Sequence, residues 1–206
     1  MASFFDKILI HTGGDMTKKV IGVIAVFIVL VVVVPLSAKG PGAGKNGQTQ
    51  GALTDQEIGH IIHIREEEKL ARDVYLTLYE VYEAPIFANI SESEQRHMDA
   101  VKRLIDRYGL KDPNINDAIG VFANEYFSIL YTDLVAKGNG SYCAALQVGI
   151  AIEELDIEDI KIALAEVKAK DVRRVFNNLL SGSYNHLSAF MNQQAAAECP
   201  SISESP

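Results

Sequence analysis

Residues 90–108, ISESEQRHMDAVKRLIDRY, decide the fold because they predict one helix with an apolar stripe that is interrupted in its middle. At alternating steps of three and four residues, the stripe consists of Ile90, Glu94, His97, Val101, Leu104 and Tyr108. A stripe that is apolar at both flanks faces a core. The segment therefore predicts a buried helix on which Glu94 and His97 share the inward face, one turn apart.

Three further segments carry the same kind of interrupted stripe. Their stripes are Ile61, Ile64, Glu68, Ala71, Tyr75, Leu78 and Tyr82; Leu146, Ile150, Glu153, Ile157, Ile160 and Leu164; and Phe176, Leu179, Ser183, His186 and Phe190. Glu68 interrupts the first stripe and Glu153 the second, whereas Ser183 and His186 interrupt the third. Asp156 follows Glu153 by one turn, close to the same face. Each helix is thus predicted to point polar groups inward near its middle.

Helix boundaries follow from caps and breaks in the sequence. Thr54 followed by Glu57 is a capping-box start, and Pro85, Gly109 and Gly138 are natural breaks. We predict long helices near residues 54–84, 86–108, 142–167 and 170–196, with a shorter helix at 124–137. No stretch of the sequence between them alternates as a strand does. The predicted fold class is therefore an all-α bundle.

The four interruptions point to a metal site in the core of this bundle. Antiparallel neighbours superpose their middles, so the polar side chains are expected to meet in one layer. A buried, isolated carboxylate is costly or protonates, so a positive charge must lie nearby. An internal salt-bridge network with Arg72 and Arg96 is the alternative, but both arginines lie one residue away from their stripes. The interrupting residues expected to bind the metal are Glu68, Glu94, His97, Glu153 and His186.

These residues resemble the ferritin-like superfamily, whose di-iron members use a Glu on each of two helices and Glu-x-x-His on each of the other two. Residues 68–75, EKLARDVY, look like the first-helix motif of rubrerythrins, and Glu153-x-x-Asp156 looks like their third-helix pair of carboxylates. The group that the chain resembles more specifically is the ferritin-like domain of unknown function 2202. That resemblance covers about residues 54–192 and rests on REEEKLARDVY, SEQRHMDAVKRLIDRYG, AIEELDI and GSYNHLSAF.

The resemblance implies a ferritin-like four-helix bundle that binds two iron ions. About thirty residues separate the second and third long helices, which agrees with the long crossover of that fold. The chain departs from the family pattern at Ser183, where a ligand Glu is expected, and Asp156 is the candidate replacement. Manganese or zinc would also suit these ligands. Nothing resembles the Cys-rich rubredoxin centre of rubrerythrins, so an external electron donor would be a separate molecule.

Our leading functional hypothesis is an exported or membrane-tethered di-iron protein that reacts with dioxygen or peroxide, as an oxidase or peroxidase, or that handles iron. Tyr75, two turns from Glu68, is expected to donate a hydrogen bond beside the site. The alternative is a non-enzymatic helical module outside the membrane that stores or senses metal or binds a partner. A homo-oligomer is compatible with both hypotheses.

Several titratable residues near the predicted site lie off the stripes. Glu66, Glu67 and Glu154 are expected to face solvent or to surround the ligands. His60 and His63 come a turn or more before Glu68, and we predict that neither is a ligand because surface histidines are commoner than additional ligands.

The overall composition limits the partners and crosslinks of the chain. With 19 basic and 27 acidic residues, the 206-residue chain has a net charge of −8, which argues against a nucleic-acid partner. Cys143 begins the third long helix and Cys199 follows the fourth, so both are expected at the same end of the bundle. We expect a disulfide there if the domain is exported.

The N-terminal segment predicts membrane targeting. Residues 20–34 are apolar apart from one glycine, Lys18 and Lys19 precede them, and small residues end the run at Ala38. This layout fits either a cleaved signal peptide or a retained anchor over residues 1–38, with Met16 as the suspected start. Residues 39–53 are predicted to be a flexible linker, 54–196 the helical domain, and 197–206 a disordered tail. The domain is therefore predicted to be secreted or anchored outside the cytoplasmic membrane.

Overall fold

The computed structural model describes residues 52–200 and contains five helices with no strand in that range. The helices are α1 (Asp55–Tyr82), α2 (Pro85–Tyr108), α3 (Glu125–Gly138), α4 (Tyr142–Glu166) and α5 (Lys170–Ala196). The predicted all-α class is confirmed. The predicted signal or anchor, most of the linker and the last six residues lie outside the described range. None of the helices within it is long and apolar enough to cross a membrane.

The helix ends form where the sequence predicts them. Thr54 accepts a hydrogen bond from the backbone N–H of Glu57, whose carboxylate accepts one from the N–H of Thr54, so the capping box is complete. Pro85 begins α2, where its missing N–H costs nothing. Gly109 ends α2 with φ of 64°, in the left-handed region that glycine adopts most easily.

The four long helices pack as a bundle in which α1 contacts α2 and α4, and α5 contacts the same two helices. Glu57, near the start of α1, accepts hydrogen bonds from the backbone N–H groups of Lys168 and Ala169, just after the end of α4. Tyr82, at the other end of α1, packs on Tyr142 at the start of α4. Helices α1 and α4 are therefore antiparallel. The short turns also make α1 antiparallel to α2 and α4 antiparallel to α5, so the crossover between α2 and α4 joins parallel helices.

The crossover lies over the outer face of α1 and is fixed there by buried charges. Arg65 pairs with Asp112, and Arg72 pairs with Asp117. Lys69, which is fully buried, donates to the carbonyl of Ala118. As a result, every residue of α1 from 64 to 75 is buried. The middle of α1 has no solvent face, unlike the amphipathic helix that its stripe predicts.

This covering decides between the two positions expected for the acidic residues beside the stripe. Glu154 faces solvent as predicted, but Glu66 and Glu67 are buried, at 4% and 1% exposed. Glu66 accepts a hydrogen bond from the backbone N–H of Asn124, just before α3. Of the two expected positions, facing solvent or surrounding the ligands, Glu66 and Glu67 do not take the first, because the crossover packs on the face of α1 that carries them.

Two apolar clusters fill the ends of the bundle. Leu78, Phe87 and Phe190 belong to the cluster at the end where α4 begins. Ile61 and Phe176 belong to the cluster at the opposite end. The polar interruptions of the four stripes lie between these clusters. The layer that they form is the most polar part of an otherwise apolar core.

A disulfide joins Cys143 and Cys199, whose Cα atoms are 5.5 Å apart. Cys143 lies in the first turn of α4, and Cys199 follows the last turn of α5. The expected position of both cysteines at one end of the bundle is confirmed, and in the structure they are paired. The bond connects the end of the described chain to α4.

Candidate metal centre

Seven side chains from the four long helices form the polar layer at the middle of the bundle: Glu68, Glu94, His97, Glu153, Asp156, Ser183 and His186. All are buried except His97, whose side chain is 13% exposed. The layer therefore contains all six residues that the sequence predicts as ligands. Five of the six fall into two groups with closely converging ligand atoms.

Glu94 on α2 belongs to both groups. Its Oε2 lies 2.8 Å from Nδ1 of His97, and its Oε1 lies 2.7 Å from Nδ1 of His186. Glu68 completes the first group, with Oε2 3.1 Å from Nδ1 of His97. Glu153 completes the second, with Oε2 3.6 Å from Nδ1 of His186. The two imidazole rings stack with centroids 5.5 Å apart, so the two groups lie side by side and share one carboxylate.

Several atoms of this layer are buried and lack a hydrogen-bond partner. They are Oε1 of Glu68, Oε1 of Glu94, Oδ1 of Asp156 and Nδ1 of His186. Buried polar atoms are normally satisfied, and leaving one unpaired typically costs about 1–3 kcal/mol. Oxygen and imidazole nitrogen donors that converge without partners are what a divalent cation requires. The donor set therefore fits a metal site.

Asp156 and Ser183 occupy the remaining side of the layer. Ser183 on α5 donates a hydrogen bond to Oδ2 of Asp156 on α4, while Oδ1 of Asp156 has no partner. Asp156 joins neither group of converging atoms. Asp156 does contact Ser183, so it lies where a carboxylate that replaces the expected glutamate at position 183 would have to lie.

Neighbouring residues fix the orientation of the ligand side chains. Tyr75 donates a hydrogen bond of 2.6 Å to Oε1 of Glu153, which is the kind of contact predicted for this tyrosine. Ser93 Oγ lies 3.0 Å from Nε2 of His186, so the other ring nitrogen faces Glu94. Gly182 lies against the imidazole of His97, where an added Cβ would be 2.5 Å from Cε1 and Nε2. These contacts hold both imidazoles in place.

The pKa values of the layer reflect an excess of buried carboxylate. Burial favours the neutral imidazole, but Glu68 and Glu94 outweigh it and raise the pKa of His97 to about 11. Glu153 and Glu94 likewise raise the pKa of His186 to about 10. Burial raises the pKa of Glu94, but the adjacent imidazoles of His186 and His97 outweigh this effect and lower the value to about 2.

The other carboxyl groups of the layer are shifted the opposite way. Burial, with repulsion from Glu94, raises the pKa of Glu153 to about 8. Burial also raises the pKa of Asp156 to about 7, against the hydrogen bond from Ser183. The pKa of Glu68 is raised well above its ordinary value by burial and by Asp156. A metal ion beside these carboxyl groups would favour their ionised forms.

Within the described residues, the layer contains no salt bridge to Arg72 or Arg96. Arg72 is bound to Asp73 and Asp117 on the outer face of α1, and Arg96 is exposed. Over residues 52–200, the ion pairs of Glu68, Glu94 and Glu153 are with histidines alone. The arginines that the sequence offered as alternative cations therefore do not neutralise the site.

Comparison with known proteins identifies the family. Residues 57–197 match the family described as Uncharacterized protein domain (DUF2202), which is more than half of the chain. The chain belongs to this family. It is 50% identical over 139 residues to uncharacterized protein MJ0754 of Methanocaldococcus jannaschii, covering 68% of this chain and 75% of that protein. It is also similar to the crystal structure of hypothetical protein MJ0754 from Methanococcus jannaschii, with a TM-score of 0.72 and 46% identity over 74% of this chain and 87% of that one.

The DUF2202 domain contains one further group of titratable residues, which the stripes did not predict. His63, Glu67 and Asp159 bring ligand-type atoms together at the edge between α1 and α4. We call them the outer cluster. Burial, together with Asp156 and Asp159, raises the pKa of Glu67 well above its ordinary value. The charged residues of 65–73, REEEKLARD, ordinarily indicate a solvated face, so nothing in the sequence indicated that this face of α1 is buried.

Proposed function

We propose that the DUF2202 domain of this chain is a ferritin-like metalloprotein that binds two metal ions, with iron as the favoured metal. The observation that carries the proposal is the sharing of Glu94 between two groups of ligand-type residues. Its two carboxylate oxygens face two different histidines, at 2.8 and 2.7 Å. A carboxylate placed in this way suits a bridge between two cations.

The helix order supports a place in the ferritin-like superfamily. Helices α1 and α2 form one antiparallel pair, α4 and α5 form another, and a long crossover joins the pairs. Ferritin-like bundles have one such crossover, and their di-iron sites lie in the bundle core between the helices. The ligand types of the polar layer match that pattern at every position except Ser183.

The residues of the layer divide between the two ions by their contacts. Glu68 and His97 would hold one ion, Glu153 and His186 would hold the other, and Glu94 would bridge them. Asp156 is left beside the pair, with Oδ1 free to supply a further oxygen. Carboxylate and imidazole ligands together suit iron, manganese and zinc.

A pair of iron ions held in this way supplies redox chemistry toward dioxygen or peroxide. The protein's own residues fix the ligands and limit access of water. Tyr75 holds Glu153 in place, Ser93 contacts His186, and the apolar clusters at both ends of the bundle close the layer along its axis. Both cysteines of the chain are joined to each other, so an electron donor for turnover would be a separate molecule.

The proposed location is outside the cytoplasm, as a secreted or membrane-anchored protein. The apolar run at residues 20–34, with lysines before it, supports targeting to the membrane. The disulfide between Cys143 and Cys199 supports an oxidising compartment.

The test is the metal content of the purified protein, its near-ultraviolet spectrum and its rate of peroxide consumption. The proposal predicts bound iron, an absorption band that disappears with a chelator, and peroxide consumption that requires the metal. Bound metal without turnover would instead favour the non-enzymatic storage or sensing alternative. A protein that stays free of metal after incubation with ferrous iron would contradict both metal hypotheses.

A further inference from the structure

We propose that His63, Glu67 and Asp159 form a third metal site, which takes one divalent transition-metal ion and passes it to the buried centre. The transfer of the ion to the buried centre rests on the proposed function above. The binding of an ion by these three residues rests on the outer cluster alone.

The outer cluster is built from two adjacent helices at regular spacing. His63 and Glu67 are one turn apart on α1, and Asp159 faces them from α4. Nε2 of His63 lies 2.9 Å from Oδ2 of Asp159 and 3.9 Å from Oε2 of Glu67. One ligand atom from each residue therefore lies within 4.8 Å of the other two. One imidazole with two carboxylates is a donor set that ferrous, manganous and zinc ions accept.

An ordinary ion pair does not explain the environment of the Glu67 carboxylate. The contact between His63 and Asp159 satisfies those two residues, but both carboxylate oxygens of Glu67 are buried and lack a hydrogen-bond partner. The residue is 1% exposed, so water does not replace the missing partners at its surface. The nearby cations Lys69 and Arg72 are bound to Asp73 on the outer face of α1. A divalent ion beside His63 would satisfy Glu67.

The outer cluster is exposed to solvent on one side and buried on the other. The side chain of His63 is 39% exposed and that of Asp159 is 27% exposed, whereas that of Glu67 is 2% exposed. Glu67 is followed directly by Glu68 of the polar layer, and Asp159 lies one turn after Asp156 on α4. The cluster is thus open to solvent on one side and is adjacent to the buried centre on the other.

The crossover completes the cluster from outside. The ring of Phe127 on α3 packs against the imidazole of His63, with centroids 5.3 Å apart. The ring of Tyr126 in turn packs against Phe127, with centroids 5.1 Å apart. The helix that covers α1 therefore helps to shape the outer cluster.

The experiment titrates the full chain with cobalt(II) alone and follows visible absorption and stoichiometry. Three proteins are compared: the unaltered chain, Asp159→Asn, and Glu158→Gln. Glu158 is exposed on the same helix and is not part of the cluster, so it is the matched control. We expect Asp159→Asn to bind one ion fewer at the same cobalt concentration, with an affinity loss of at least about tenfold at that site. The remaining ions should bind to this variant more slowly, and Glu158→Gln should match the unaltered chain in both respects.

The outcomes separate this inference from the proposed function. If Asp159→Asn binds as many ions at the same rate as the unaltered chain, there is no outer site. If Asp159→Asn loses an ion but its buried centre fills at the unaltered rate, the outer cluster does not pass its ion to the centre. Glu94→Ala, titrated in parallel, reports on the buried centre. If only Glu94→Ala loses ions, the proposed function stands and there is no outer site. If only Asp159→Asn loses an ion, the outer site stands and the proposed function is contradicted. Glu67→Gln, which keeps the side-chain volume, should reproduce the effect of Asp159→Asn.

Discussion

Oε1 of Glu94 lies 2.7 Å from Nδ1 of His186, and neither atom has a hydrogen-bond partner. The two atoms are close enough to form a hydrogen bond but are not aligned to do so. This arrangement is expected of two metal-ligand atoms that are both directed at the same third atom. The other oxygen of Glu94 lies 2.8 Å from Nδ1 of His97. One side chain thus links the two histidines of the layer.

We expect the two ions to bind with unequal affinity because Ser183 stands where a carboxylate ligand would be. A hydroxyl is a weaker ligand for iron than an ionised carboxylate. Asp156→Asn, which keeps a hydrogen-bonding side chain next to Ser183, should reduce occupancy of the weaker position, and Ser183→Glu should raise it. Anaerobic titration with ferrous iron measures both. Equal affinities in the unaltered protein, with no effect of Asp156→Asn, would show that other residues complete the site.

Gly182→Ala should weaken metal binding without removing any ligand. The added methyl group would lie 2.5 Å from Cε1 and Nε2 of His97, and the ring has little room to move because Glu68 and Glu94 contact its other side. We expect a loss of about 10–100-fold in affinity at the position that His97 serves. Gly59→Ala is the control, because nothing lies within 4 Å of the added Cβ. It should leave binding unchanged and stabilise the fold by about 0.5–1 kcal/mol. Similar binding by both variants would mean that His97 is not held as the structure indicates.

Acid should remove the stabilisation that Glu57 provides. Its carboxylate accepts hydrogen bonds from the backbone N–H groups of Thr54, Lys168 and Ala169, and the bond from Thr54 contributes most to lowering its pKa from 4.5 to about 2. Because the pKa is lowered in the folded state, the contribution is complete above pH 4.5 and is lost between that pH and about 2.

Glu57→Gln tests this relation by denaturant unfolding across pH. At neutral pH the variant should be less stable by roughly 1 kcal/mol, and its deficit should shrink as pH falls below 4.5. Asp55→Asn, in the same turn but exposed, is the control. A deficit that stays constant down to pH 2 would show that the charge of Glu57 does not matter.

Reduction of the disulfide should destabilise the domain. Cys143 and Cys199 are 56 residues apart in sequence, and closing a loop of that length stabilises by about 4 kcal/mol in the chain-entropy model. The Tm should therefore fall on treatment with a thiol reductant. Mass measurement after alkylation without reductant checks the bond itself, and two alkylated cysteines in freshly exported protein would exclude it.

The sequence predicted the helices and the members of the polar layer because both depend on local periodicity. Glu94 and His97 repeat at the spacing of one helical turn, so their shared face could be read without knowing what packs against it. The meeting of the four interruptions followed from antiparallel packing of helices of similar length. The same argument placed Cys143 and Cys199 at one end of the bundle.

The sequence did not decide whether Glu66 and Glu67 are buried, because that depends on where the crossover lies. Its segment before α3 is held on α1 by pairs such as Arg65 with Asp112, which are 47 residues apart. Periodicity describes how one helix divides between core and solvent, and it assumes that the other face is open. In this protein a second layer covers that face, so charged residues become buried and the outer cluster forms.

The most direct test of the central claim is X-ray absorption at the iron edge, measured on the iron-loaded protein and on Glu94→Ala. The account predicts an iron–iron scattering contribution at about 3.5–4 Å, the usual separation in two-metal sites. That contribution should disappear in Glu94→Ala, while Glu92→Ala, an exposed change on the same helix, should retain it. Spectra of the unaltered protein with only light-atom neighbours, or iron–iron scattering that survives the loss of Glu94, would contradict the assignment of Glu94 as the residue that joins two metal ions.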